Sequence, residues 1–163
     1  MNPAQIHLML NHLPLFASAT AGLLLAYALL RGNLAYQRLA YVLLVVAAIA
    51  APLVFFSGHG AEDKVEGLIG VSERRIHAHE EAGEGAAIGM VLLGLLAAAQ
   101  LVLGALPHAA RWRSRGAWVV LIGALAANSW TAWTAHLGGL IRHGAELGSP
   151  APLTAPATED EGE

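Results

Sequence analysis

The chain predicts an all-α fold, a four-helix up-down transmembrane bundle with both termini on the outer, periplasmic side. Three observations predict it. The 163 residues are 56% hydrophobic and 13% charged, with a mean hydropathy of +0.53. A soluble domain of this size needs polar surface all round, whereas a bundle in lipid does not. Four long apolar segments each approach the ~20 residues a helix needs to cross the hydrocarbon core. Arginine is concentrated in the two short connections between those segments.

The first segment runs from Leu13 to Leu30, with no charged residue before Arg31. A cleaved signal peptide opens with positive side chains; none precedes this run, so it reads as a helix. Pro14 removes a backbone bond to Leu10, so the helix either starts there after an interfacial turn over Ile6–His12 or continues with a kink. The second segment, Leu39–Ser57, ends before Gly58 and Gly60, which suit a C-terminal cap. The third, Gly85–Leu106, is extended upstream by Ser72, a candidate N-cap; Gly85 and Gly89 on it form a small-xxx-small face for close packing in lipid. The fourth runs from Gly116 to Ile141. The expected helices are therefore about 13–30, 39–57, 73–106 and 116–143, within a transmembrane domain over 1–148. Residues 149–163, rich in Pro and Ala and ending Glu159-Asp160-Glu161-Gly162-Glu163, read as a disordered acidic tail.

Orientation follows from charge. The short connections carry Arg31, Arg38, Arg111, Arg113 and Arg115 and no acid; all twelve acidic residues lie on the other side, with Lys64, Arg74, Arg75 and Arg142. The positive-inside rule makes the short connections cytoplasmic. The expected setting is the bacterial inner membrane, multi-pass, with lipid as the principal partner. There is no cysteine, which excludes c-type haem attachment, thiolate-held clusters and disulfides. Nothing suggests a nucleic-acid partner, a nucleophilic triad or a phosphate loop.

Seven of the eight histidines fall on the outer side: His7, His12, His59, His77, His79, His136 and His143, with only His108 opposite. At about 1.5 Å of rise per residue, His12 lies roughly 28 Å from Arg31, and His59 and His136 each lie roughly 32 Å from the arginines of their own helices. His79 and His143 form a higher tier with Glu80 and Glu66. Taken singly, each of His7, His77 and His143 reads as an interfacial polar residue. As a set, ionisable groups gathered from four helix ends point to a site, because such groups are costly in a membrane and turn to the bundle interior.

Imidazole ligates haem iron, zinc and non-haem iron. A b-type haem clamped by facing histidines is the leading expectation, His12 with His136 or His12 with His79, serving electron transfer near the outer surface beside a respiratory or other redox membrane complex. Trp133 walls such a pocket, Gly138-Gly139 lets a planar ligand approach, and Arg142 is placed to pair with a propionate, Glu66 or Glu80. The cofactor-binding candidates are thus His12, His79, His136, His143 and Arg142. The alternative is non-haem iron or zinc on His12, His79, Glu80, His143 and Glu66. A non-catalytic structural subunit of a larger membrane complex is the competing reading, and an enzyme is disfavoured.

His7-Leu-Met-Leu-Asn11-His12-Leu-Pro14, Ala61-Glu62 with Val65-Glu66-Gly67, His79-Glu80, and Trp133-Thr-Ala-His-Leu-Gly138-Gly139-Leu-Ile-Arg142-His143 together resemble a family of small four-helix bacterial membrane proteins of uncharacterised activity. The resemblance covers Ile6 to His143. It implies the four-helix architecture and marks His12, Glu66, His79, Glu80, Arg142 and His143 as motif positions. Asn is common at the place of His136 in that pattern, which favours His12, His79 and His143 as ligands.

Overall fold

The computed structural model describes residues 3–65, 71–106 and 110–144, and these are helical apart from short connections. In chain order they are α1 (Pro3–Leu10), α2 (His12–Arg31), α3 (Leu34–Val65), α4 (Glu73–Ala105) and α5 (Ala110–His143). Among the described residues, three helical spans are long and apolar enough to cross a membrane: Gln5–Arg31, Leu34–Ala61 and Glu73–Ala105. The expected fourth is not among them. α5 is long enough, but Asn128, Ser129, Thr131 and Thr134 interrupt its apolar run. Glu66, His108 and the tail from 149 lie outside the described residues.

Local chemistry sets the element ends. α1 and α2 are separated by Asn11 alone, which keeps helical angles (φ −58°, ψ −26°) and whose N–H still reaches the His7 carbonyl at 2.9 Å. Pro14 sits in the first turn of α2, where its missing N–H costs least. Gly32 closes α2 at φ 64°, a left-handed angle that glycine adopts without strain. Asn33 then caps α3, its Oδ1 accepting from the N–H groups of Ala35 at 3.0 Å and Tyr36 at 3.2 Å. Ser72 occupies the N-cap of α4, but its side chain makes no capping bond. The expected stop at Gly58 does not occur, and α3 continues to Val65. Gly58 instead stays helical where the His7 ring packs on it: an added Cβ would lie 3.4 Å from His7 Cε1.

Cross-contacts fix how the helices run. Ala48 meets Gly94 and Phe55 meets Gly83, so α3 and α4 are opposed. Arg75 reaches Leu140, Trp130 reaches Ala82, and Leu93 packs on Gly123, so α4 and α5 are opposed too. Ser18 meets Asn128 and Gly22 meets Ala124, which opposes α2 and α5. Among the described residues, one end of the assembly therefore gathers the histidines and the other Arg31, Arg38, Arg113 and Arg115.

The core is built largely from small residues, including Ala21, Ala40, Ala47, Ala97, Ala117 and Ala124, with Leu25, Leu44, Met90 and Val120 filling between them. Large apolar side chains point outward instead, Leu23, Leu30, Phe56, Leu95 and Ile122 among them. Small residues inside and large ones outside suit close helix packing in lipid, where dispersion and shape hold helices together. α3 and α4 approach closely at Gly94, where a Cβ would collide with that of Ala48. The expected small-xxx-small contact is only half realised. Gly85 lies under the Trp130 indole, 3.0 Å from an added Cβ, while Gly89 faces open space.

Candidate functional site

Each helix buries a stripe that repeats at alternating steps of four and three. On α2 it is Pro14, Ser18, Ala21, Leu25 and Ala28; continued back through α1 it passes through Asn11 and His7, both half-buried. On α4 it is Ile76, His79, Gly83, Ala86, Met90, Leu93 and Ala97, with His79 half-buried. His12 is five residues beyond His7, which at 3.6 residues per turn turns it roughly 140° away. It lies exposed, stacked on Phe16 with ring centres 6.1 Å apart.

The rings that meet are His7 and His79, with centres 6.5 Å apart and planes at 87°. Each is held by its Nδ1. His7 Nδ1 lies 3.1 Å from the Val54 carbonyl and 3.1 Å from Ser57 Oγ. Ser57 donates its own hydrogen to the Val54 carbonyl at 2.7 Å, so both partners of Nδ1 are acceptors. His79 Nδ1 lies 2.9 Å from the Thr134 carbonyl. A carbonyl can only accept, so the proton sits on Nδ1 in both rings. The neutral side chains then keep their lone pair on Nε2, the arrangement found in histidines that ligate metals through one nitrogen and anchor through the other.

The surroundings fix these rings. A Cβ at Gly138 would lie 2.9 Å from His79 Cε1, so glycine is what lets α5 come this close. Thr134, buried beside it, has its hydroxyl 3.1 Å from the carbonyls of Ala82 and of Trp130. The Trp130 indole N–H donates to the Ala82 carbonyl at 2.9 Å. Arg75 donates to the Leu140 carbonyl at 2.8 Å. Together these tie α4 to α5 from one turn below His79 to one turn above it.

Compared with protein families, curated proteins and solved structures, the chain matches none. The reading of the site rests on its own geometry.

The other candidates are placed as follows. His136 is exposed on α5 against Trp133, ring centres 5.6 Å apart. His59 is exposed on α3 and meets Phe55 edge-on at 5.0 Å. His143 is exposed, and Arg142 precedes it in the last turn of α5. Glu80 Oε2 lies 3.5 Å from Nδ1 of the exposed His77, one turn away on the same helix. Among the described residues no three of His, Cys, Asp and Glu converge on a point that could hold a metal ion. His79 is thus brought to a second histidine, His7, which by sequence alone reads as an interfacial residue. The signal for His7 lies in the small-residue stripe of α2, which continues to His7 and Asn11 and passes by His12.

Proposed function

We propose that this chain is a membrane-embedded, histidine-ligated redox protein in which His7 and His79 would hold a b-type haem. The observation that supports it is the shared protonation of the two rings: each gives its Nδ1 proton to a main-chain carbonyl and keeps Nε2 basic. Spacing supports it as well. The two ring centres lie 6.5 Å apart, close enough for a single group to be held by both. Haem iron is held by one or two protein side chains, whereas tetrahedral zinc asks for three or four; a two-histidine set fits the former. The bound haem supplies one-electron chemistry; the protein's part is to hold both imidazoles rigid and in the right tautomer.

In this proposal α2 to α5 form a four-helix up-down bundle in the bacterial inner membrane. The histidine end and both termini are periplasmic and the arginine end is cytoplasmic, in keeping with the positive-inside rule. α5 is the least apolar of the four, and two of its polar residues face neighbours: Asn128 accepts from Ser18 at 3.0 Å and Thr134 lies 3.1 Å from the Ala82 carbonyl. Electron exchange with a respiratory or other redox complex would take place at the periplasmic surface. The resemblance to small four-helix membrane proteins agrees with this architecture and adds no activity.

A second reading has its own support. The same contacts, His7 to α3 and His79 to α5, bind helices together without any cofactor, as polar side chains do in membranes. In that case the chain is a structural subunit. Absorption spectra of the purified protein, oxidised and reduced, separate the two. The haem reading expects a sharp reduced band that is lost in His7→Gln and in His79→Gln and kept in His12→Gln and His136→Gln, with all four proteins accumulating in the membrane. A colourless protein carrying stoichiometric zinc or iron moves the ligands to a non-haem ion. A protein with neither is the structural subunit.

A further inference from the structure

The arginine end holds a feature that the redox reading does not use. Gln100, on α4, has its Oε1 buried and without a hydrogen-bond partner. A buried acceptor left unpaired forfeits its hydration and gains nothing in return, so a donor belongs there. Two openings meet at this side chain. A trough of about 510 Å³ between α4 and α5 is lined by Leu96, Leu103, Val119 and Val120 along its length and by Trp112 and Arg115. A smaller cleft on the other side of Gln100 is bordered by Arg38, Arg113 and Tyr41. Gly116 makes room for the Gln100 amide, which an added Cβ would strike.

The three features have different chemistries and lie together. The trough is apolar and its wall residues Leu96 and Val119 are 48% and 56% exposed, so it opens sideways to whatever surrounds the helices. The flanking charges are Arg38, Arg113 and Arg115, and residues 31–38 and 107–115 contain no Asp or Glu to neutralise them. Beside the arginines sits an acceptor that needs a hydroxyl or amine hydrogen. Basic pockets between helices on the cytoplasmic side of a membrane take acidic lipid head groups.

We infer that this is a binding site for one anionic phospholipid with a hydroxylated head group, of the phosphatidylglycerol type. An acyl chain lies in the α4–α5 trough, the phosphate pairs with Arg115 at the same trough, and a head-group hydroxyl donates to Gln100 Oε1. A free phosphate would meet the arginines but leave the trough and the Gln100 carbonyl unused. A choline head group carries a positive charge toward the arginines and has no hydroxyl. The inference assumes that the helices lie in a membrane, and it is independent of any cofactor at the other end.

Native mass spectrometry of the full chain in detergent, titrated with phosphatidylglycerol or phosphatidylcholine, tests it. The expected result is one phosphatidylglycerol per chain, retained when phosphatidylcholine is lost. Binding should weaken roughly fivefold for Arg115→Gln. Gln100→Leu should reduce the preference for phosphatidylglycerol over phosphatidic acid, which lacks the head-group hydroxyls. Arg31→Gln, the same charge change at the same end but outside both openings, should leave binding unchanged. Equal retention of both lipids overturns the proposal, as does an Arg31→Gln loss equal to that of Arg115→Gln, which marks diffuse attraction. Displacement of the lipid by soluble glycerol phosphate overturns it too, since the site would then recognise the anion alone.

Discussion

The histidine end and the arginine end are built on opposite plans. At the histidine end, side chains cross from helix to helix onto main-chain carbonyls: His7 to Val54, His79 to Thr134, Trp130 to Ala82 and Arg75 to Leu140. At the arginine end Gln100 has a buried oxygen with no partner, as Asn11 has at the histidine end, and Gln37 bonds within its own helix, to Tyr41 at 2.8 Å. One end is stitched shut by directional bonds; the other leaves room between helices. Titratable groups held rigidly suit a site whose geometry must not drift. Groups at the rim of an open trough suit a mobile, partly fluid ligand. A carbonyl deep in an apolar setting has few ways to be satisfied, so each cross-helix bond at the closed end also fixes a tautomer or a rotamer.

The largest effect concerns where the two ends lie. With the arginine end cytoplasmic, a reporter joined after Glu163 works only if it functions in the periplasm, and one inserted between Gly32 and Asn33 works only in the cytoplasm. The expected outcome is all-or-none for both fusions. Cytoplasmic activity of the fusion after Glu163 inverts the bundle, and with it the assignment of the lipid site to the inner leaflet.

Glycine substitutions measure how closed each end is. Gly138→Ala places a Cβ 2.9 Å from His79 Cε1, so the ring or α5 must shift. The expected cost is about 1–3 kcal/mol, typical of overpacking, together with loss of the Nδ1 bond to Thr134. Gly104→Ala at the arginine end has nothing within 4 Å and should be neutral or slightly stabilising, since alanine is the better helix former. Both are read from thermal unfolding in detergent. Equal costs at the two positions would erase the contrast between a closed and an open end.

Parts of this contrast are legible in the amino-acid sequence. Runs such as Leu39–Ser57 and the arginines around Arg31–Arg38 are one-dimensional signals, and length and charge are enough to read them. The helix limits are less legible. Gly58 reads as a stop by local propensity, yet tertiary packing under His7 keeps it helical, and local rules cannot see a ring arriving from a residue 51 positions earlier. Among the site candidates, depth is readable from residue counts and facing is not. His12 and His7 are both near a helix end, and only the phase of the buried stripe separates them. That phase is carried by Ser18, Ala21 and Ala28, small residues that hydropathy weights weakly. Gln100 gives no signal at all, because a single amide in an apolar helix has no periodicity to betray an unpaired oxygen.

The smallest effect tests whether the bonds at the closed end act singly or as a set. The Ala82 carbonyl faces the Trp130 indole N–H at 2.9 Å and the Thr134 hydroxyl at 3.1 Å. Trp130→Phe keeps an aromatic ring over Gly85 and removes the N–H; Thr134→Val keeps the branched shape and removes the hydroxyl. Either change alone leaves Ala82 with the other donor, so each should cost about 0.5 kcal/mol, near the average for polar contacts within membrane proteins. The double variant leaves that carbonyl with neither, in a setting where water does not replace them, and an acceptor stripped of both partners costs more than two separate losses. The cycle should therefore be non-additive, with the pair exceeding the sum of the singles by about 0.5–1 kcal/mol. Strict additivity would mean that the two donors do not share the acceptor, and that the closure of this end comes from glycine-mediated fit at Gly85 and Gly138 and not from its hydrogen bonds.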